Sequence, residues 1–285
     1  MRKPIRKERH LQAVRLPLPG HSVLLLYKQS VWEEYCMKDD WRDRVAVITG
    51  ATHGIGLRLA QRLAECGVRV ATIYRSNDEQ ARHFSQHMAS LSVDHWITKG
   101  DVVQKENLER LIQGASERWG RIDFLVCNIG IDISAPVAQL SDEQWLLSQE
   151  IMLNAPFRLI RRCLPILREQ RFGRIVTLGA SSRDYTKGQF GLAPFGVHKA
   201  ALRVLTQTVA LEEIGNGITA NMVAPSSTAD AGVNREEDRI PLSRIPIGRR
   251  MTTDEVTEAI LYFLSPNAGA VTGQFIGVNG GCSVP

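Results

Sequence analysis

Apolar and polar positions over residues 44–279 follow two alternating rhythms. Short continuous runs of aliphatic residues give way to longer stretches in which apolar residues recur every three or four positions. "RVAVITG" (44–50) is an apolar, β-branched run ending in glycine, the pattern of a parallel strand buried on both faces. "LRLAQRLAECG" (57–67) follows with helical spacing and a glycine stop. The same alternation predicts strands at "RVATIY" (69–74), "HWITKGD" (95–101), "IDFLVCN" (122–128), "GRIVTLG" (173–179), "ITANMVA" (218–224) and "GQFIGVN" (273–279). Helices are expected over about 77–91, at "KENLERLIQGASERWG", over about 142–170 and 195–214, and at "TDEVTEAILYFLS". Strands alternating with helices of this length make right-handed βαβ units. The expected fold class is α/β: a single doubly wound domain, about seven parallel strands with helices on both faces. No internal repeat and no boundary of a second domain is visible. Ligands in such sheets bind beyond the carboxyl ends of the strands.

Residues 1–36 break the rhythm. "MRKPIRKERH" is a run of charge, and "RLPLPGH" is interrupted by two prolines and a glycine. One reading is an Arg-rich targeting peptide, although the segment is poor in serine. A second is a basic arm for nucleic acid or anionic lipid. A third places the native start at Met37, so that "MKDDWRDRVAVITG" is a short run-up to the first strand. The organisation adopted is a basic extension over 1–36, disordered or non-native, and one domain over 37–285.

Charge supports that division. Of the net +5, the extension holds +4 (seven Lys/Arg against three Glu), which leaves +1 for the body. A near-neutral body gives no case for a nucleic-acid partner. Overall composition, 44% hydrophobic and 23% charged, is that of an ordinary globular protein. The five cysteines (Cys36, Cys66, Cys127, Cys163, Cys282) lack metal-ligand spacing. Reduced thiols in a cytoplasmic protein are expected, with no metal. "SVLLLY" is too short to span a bilayer, so no membrane partner is expected.

"VITGATHGIG" (47–56) carries Gly50, Gly54 and Gly56 between the first body strand and its helix. Glycine lets the backbone turn tightly and approach a pyrophosphate, and the helix start favours the anion. Its place at the first βα turn of a repeating βα pattern makes this a dinucleotide site of Rossmann type. The strand-two end, Tyr74-Arg75-Ser76-Asn77, shows no acid for a ribose 2′-hydroxyl. Arg75 offers a planar fork to a 2′-phosphate, unless it is only a solvated charge. NADP(H) is therefore expected over NAD(H).

With the glycine motif, "CNIG" (127–130), "GITANMVAP" (217–225), "IPIGRRMTTDEV" (245–256) and "VTGQFIGVNGG" (271–281), the body resembles the short-chain dehydrogenase/reductase family, in particular its 3-oxoacyl-[acyl-carrier-protein] reductases, over about 42–282. The resemblance implies that Asp101, with Val102 beside it, meets the adenine. It implies that Asn128 and Gly130 line the adenosine ribose side, and that His53, Ile55 and Pro225 belong to the cofactor site. His53 takes a slot where many NADP-preferring relatives carry arginine.

The resemblance also implies a catalytic Asn, Ser, Tyr and Lys. Anchored on Phe157, on Leu178-Gly179 and on "FGVHK" (195–199), those slots hold Met152, Ala180, Phe195 and Lys199. Only the lysine remains. Asn154 lies two residues late for its slot. Phe195 has no proton to give, and removal of one positioned acid typically costs ~10²–10⁴ in rate. Ser181, Ser182, Tyr185 and His198 are the candidate stand-ins. Tyr185 has loop packing as its alternative role, and His198 a surface or interface position. Two further departures, Ile129 and Ser226, stand where the family has Ala and Gly. The function expected is an oxidoreductase scaffold binding NADP(H), with ordinary carbonyl reduction weak or absent. The alternative is a nucleotide-binding sensor or an inactive subunit of a mixed tetramer. The substrate is not legible; residues 226–250, by resemblance a substrate lid, are rich in arginine. Homo- or hetero-oligomers are expected through the helices near 142–170 and 195–214.

Overall fold

The computed structural model describes residues 12–18, 21–27, 41–181, 188–229 and 240–282. The chain divides into two units, residues 1–42 and 43–285. In the first, β1 (Gln12–Leu18) pairs antiparallel with β2 (His21–Tyr27), with Leu18 opposite His21. The sequence pattern predicts no regular element in this segment.

The second unit is built on a seven-stranded parallel sheet. Its strands are β3 (Val45–Thr49), β4 (Arg69–Tyr74), β5 (His95–Lys99), β6 (Phe124–Cys127), β7 (Gly173–Leu178), β8 (Ile218–Pro225) and β9 (Phe275–Val278). Their order across the sheet is β5-β4-β3-β6-β7-β8-β9. All five residues of β3 and all six of β7 are buried, which is why these strands read as unbroken apolar runs.

The helices are α1 (Gly54–Glu65), α2 (Asp78–Ser90), α3 (Lys105–Trp119), α4 (Asp142–Gln149), α5 (Ala155–Gln170), α6 (Ala193–Glu213) and α7 (Thr253–Leu264). α1 packs on α7 and α2. On the other face α3, α5 and α6 share a core with strand residues Val45, Val47, Ala71, Ile73, Leu125 and Ile175. Ser141 and Thr252 each make a capping box, with Gln144 and Glu255. The expected long helix over 142–170 is interrupted by a π turn at Glu150–Asn154. Pro156 explains it. Proline has no N–H for the Met152 carbonyl four residues back, and its ring crowds that carbonyl.

Among the described residues Cys127, Cys163 and Cys282 are free thiols, in agreement with the expectation of reduced cysteines.

The strand order reverses between β3 and β6. The chain runs outward from β3 to β4 and β5, then returns to place β6 on the other side of β3. A crevice opens at such a switch point, at the carboxyl ends of the strands. The loops after β3 and β6 flank it.

Candidate active site

The loop after β3 is held by side chains from neighbouring strands. Gly50 has φ +69 and Gly54 φ +56, a backbone that L side chains rarely adopt. A Cβ on Gly56 would run into the Gly50 carbonyl oxygen and lie 2.8 Å from Asn128 Nδ2. Asn128 Nδ2 donates to the carbonyls of Thr49 (3.1 Å) and Gly50 (3.3 Å). Its backbone N–H donates to Thr49 Oγ1 at 3.0 Å. On the other flank the Ala51 N–H donates to Thr72 Oγ1 at 3.1 Å. Sequence reasoning misses Thr49 and Thr72, since buried strand threonines carry no signal by themselves. Asn128 thus ties the β6 loop to the glycine loop across the switch point.

His53 is the exposed N-cap of α1, without a side-chain cap bond, and Ile55 is half-buried behind it. Asp101 Oδ1 accepts the Val103 N–H at 3.1 Å, and Asn107 Nδ2 donates to the Asp101 carbonyl at 2.9 Å. Val102 turns inward. It lines a small apolar cavity of about 10 Å³ with Thr49, Cys127, Ile129 and Ile151. Ile129 Cγ1 would stand 3.1 Å from a Cβ on Gly50, so the larger residue in place of alanine fills space beside the loop. The loop geometry fits a dinucleotide: there is no Cβ where a pyrophosphate needs backbone, and a helix start lies behind it.

Just beyond the acid-free segment 74–77 the structure brings in a group that the sequence reading passed over, Asp78 at the start of α2. Its carboxylate accepts from Tyr74 Oη at 2.8 Å and from Lys99 Nζ at 2.8 and 2.7 Å. Asp78 lies four residues beyond the strand end, outside the short window after β4 where such an acid is expected. Arg75 is exposed and makes no side-chain hydrogen bond or ion pair among the described residues.

The chemical end lies along β7, the π turn and α6. Lys199 is buried, and its Nζ donates to the Leu178 carbonyl at 2.6 Å. Burial lowers its pKa to about 8, with the Cys127 thiol opposing this, and burial raises Cys127 to about 12. A Cβ on Gly130 would be 3.6 Å from Lys199 Nζ, so the β6 loop closes over the lysine. The Phe195 ring lies one turn back, its centroid 5.9 Å from Nζ. Phe195 packs against the same core as Met152, which is fully buried. Ala180 is half-buried just beyond β7.

Two of the stand-ins are buried and bonded to other groups. Ser181 is buried; its hydroxyl donates to the Ala224 carbonyl and its N–H to Pro225 O, so strand β8 occupies it. His198 is neither surface nor interface. It is buried, with Nδ1 2.9 Å from Ser148 Oγ and its ring 4.8 Å from that of Trp145. Burial pushes its pKa down, partly opposed by the Pro194 carbonyl. Its offset of three residues from Phe195 turns it onto α4. Asn154 donates to Glu150 Oε1 at 2.6 Å and does not replace Met152. Ser182 and Tyr185 lie outside the described residues, as does 230–239 of the arginine-rich segment. In its remainder Arg249 pairs with Glu255 at 2.7 Å, and Arg250 Nε donates to Ser227 Oγ at 3.1 Å.

A family model described as enoyl-(acyl carrier protein) reductase matches residues 50–283. The chain belongs to the short-chain dehydrogenase/reductase family. YtkK of Bacillus subtilis (strain 168) is 34% identical over 247 residues, covering 85% of this chain and 97% of that protein. A 3-oxoacyl-[acyl-carrier-protein] reductase, FabG, of Vibrio cholerae serotype O1 is 30% identical, covering 84% of this chain and 96% of that protein. The crystal structure of levodione reductase superimposes with a TM-score of 0.77 at 24% identity, over 84% of this chain and 97% of that one, and supports the fold. As a short-chain dehydrogenase/reductase, the chain has an oxidoreductase scaffold of a family that binds a nicotinamide dinucleotide. No helix among the described residues is long and apolar enough to cross a membrane.

Proposed function

We propose that this chain binds NADP(H) at the β3–β6 switch point, and that ordinary reduction of a 3-oxoacyl carbonyl is weak or absent there. Support for the nucleotide half is the Gly50–Gly56 loop, where a Cβ on Gly56 would run into the Gly50 carbonyl oxygen, and the exposed Arg75 fork beyond β4. The loop and the α1 start would hold the pyrophosphate, Asp101 the adenine side, Asn128 and Gly130 the adenosine ribose side, and Lys199 the nicotinamide ribose. The bound cofactor supplies or accepts hydride.

The observation that carries the catalytic half is Phe195, one turn before Lys199 with only a ring facing the amine. Carbonyl reduction needs a proton delivered to oxygen as hydride arrives, and an aromatic hydrocarbon does not ionise at any pH. Burial of the Ser181 hydroxyl and of His198, each bonded elsewhere, counts against two of the four candidate replacements. Met152 and Ala180 depart in the same direction as Phe195, each putting an apolar group where a hydrogen-bonding one is expected. That suits a dry pocket better than a carbonyl-polarising one.

A subunit role draws support from a different observation. On α6, Val197, Val204 and Leu211 recur every seven residues and are 49%, 62% and 81% exposed. Members of this family typically form oligomers, and such a stripe suits pairing with a copy or with an active relative.

Full-length protein titrated calorimetrically with NADPH and NADH, then assayed for NADPH-dependent reduction of an acetoacetyl thioester, tests both halves. Micromolar NADPH binding without turnover is the expected result. Turnover abolished by Lys199→Ala overturns the catalytic half. Binding of neither dinucleotide overturns the nucleotide half, and tighter NADH binding overturns the choice of cofactor.

A further inference from the structure

This inference deepens the NADP(H) reading and rests on it. Beyond β4 the chain places two groups of opposite effect on a 2′-phosphate. Arg75 attracts it and is exposed without a side-chain partner among the described residues. Asp78 repels it, and at the start of a helix following β4 a free carboxylate is placed to accept from a ribose hydroxyl. Asp78 is not free. Tyr74 and Lys99 are register partners at the ends of β4 and β5. Both reach the same carboxylate, Tyr74 Oη at 2.8 Å and Lys99 Nζ at 2.8 and 2.7 Å to its two oxygens.

Lys99 does not belong to the glycine motif and follows Asp78 by 21 positions. Its side chain and that of Asp78 are 55% and 58% exposed, so the pair contributes little to stability. Its consequence lies in what the carboxylate can still do. The hydrogen bonds from Lys99 and then Tyr74 hold Asp78 below the usual carboxylate range, and Arg82 on α2 acts in the same direction. Arg75, Arg82 and Lys99 are the cations set against Asp78 and Glu79, and Arg110 donates to the Lys99 carbonyl at 3.0 Å.

We propose that Lys99 sets the choice between NADP(H) and NAD(H) indirectly, by holding the Asp78 carboxylate away from the adenosine ribose. Tyr74 is the second half of the clamp. Loss of Lys99 frees an acid four residues beyond β4 to reach toward a ribose 2′-hydroxyl and to repel a 2′-phosphate.

A double-mutant cycle separates this from direct phosphate contact. Wild type, Lys99→Ala, Asp78→Asn and the double variant, each as the full chain, are titrated calorimetrically with NADPH and with NADH. Lys99→Ala is expected to lower the ratio of NADPH to NADH affinity by about tenfold or more, and the double variant to return it to within about threefold of wild type. An unchanged ratio in Lys99→Ala overturns the inference. So does a double variant as impaired as Lys99→Ala, because Lys99 would then act on the phosphate itself. Wild type that binds neither dinucleotide overturns the cofactor reading, and this inference falls with it; wild type that binds NADPH while the cycle fails overturns the inference alone.

Discussion

The two sides of the crevice differ in how they treat polar groups. On the β3–β4–β6 side the polar side chains around the glycine loop hold it in place, with Asn128, Thr49 and Thr72 all bonding backbone there. On the β7–α6 side Met152, Ala180 and Phe195 present apolar side chains, and the amine of Lys199 bonds a strand carbonyl. A backbone cradle depends on sterics, so it is intolerant of added atoms. A proton relay depends on a few hydroxyl and amide groups, so it disappears by small substitutions that leave packing intact. The scaffold can therefore keep its nucleotide end while its chemical end changes.

The comparison breaks most readily at the chemical end. Ala180→Ser with Phe195→Tyr, and then Met152→Asn added, is expected to raise acetoacetyl-thioester reduction by NADPH by ~10²–10⁴ over the parent. Met152 is fully buried, so its asparagine is also expected to lower stability by ~1–3 kcal/mol. Steady-state assays beside thermal unfolding separate the two effects. If the variants stay silent, more than the hydroxyls has been lost.

At the nucleotide end, Gly56→Ala drives a Cβ into the Gly50 carbonyl. NADPH affinity is expected to fall by roughly 100-fold, about 2.7 kcal/mol, read by calorimetry. Retained affinity would show that the loop is not the pyrophosphate cradle.

Lys199 gives a pH signature. Burial puts its folded pKa at about 8 against an ordinary 10.5, so the unfolded chain binds more protons between those values. Its contribution to stability is fully present above pH 10.5, declines as pH falls toward 8, and has a slope of up to about 1.4 kcal/mol per pH unit in that window. Denaturant unfolding should show the stability of wild type relative to Lys199→Met rising with that slope, since the buried Cys127 and Cys163 thiols, raised by burial, contribute an opposite slope to both proteins.

The smallest effect concerns the α4–α6 contact. Ser148→Ala leaves His198 Nδ1 without its partner and should cost ~1 kcal/mol in chemical denaturation, with NADPH affinity unchanged. A larger loss of affinity would make this buried pair part of the site's support.

Much of the fold was legible because it rests on short-range pattern. The seven body strands fall within their expected apolar runs, most of them shorter by one to three residues, except β8, which reaches one residue further to Pro225, and the helices follow their periodicity. The π turn was not legible, because a helical apolar period continues through Glu150–Asn154 while Pro156 breaks the bonding beneath it. For the site, the glycine loop was readable as residue identities, and Met152, Ala180 and Phe195 as apolar residues aligned to family motifs by resemblance. The roles of Ser181 and His198 were not, since sequence distance says nothing of which neighbour a hydroxyl or ring meets.

By itself the sequence determined the βα alternation, the place of the glycine turn and the absence of a hydroxyl at Phe195. These follow from local periodicity, backbone freedom at glycine and covalent chemistry. Only the tertiary structure decided which polar groups are spent: Asp78 on a lysine 21 positions away, Ser181 on a carbonyl 43 away, His198 on a serine 50 away. Hydrogen bonds are satisfied in space, and the parallel crossovers bring together partners that no local pattern connects.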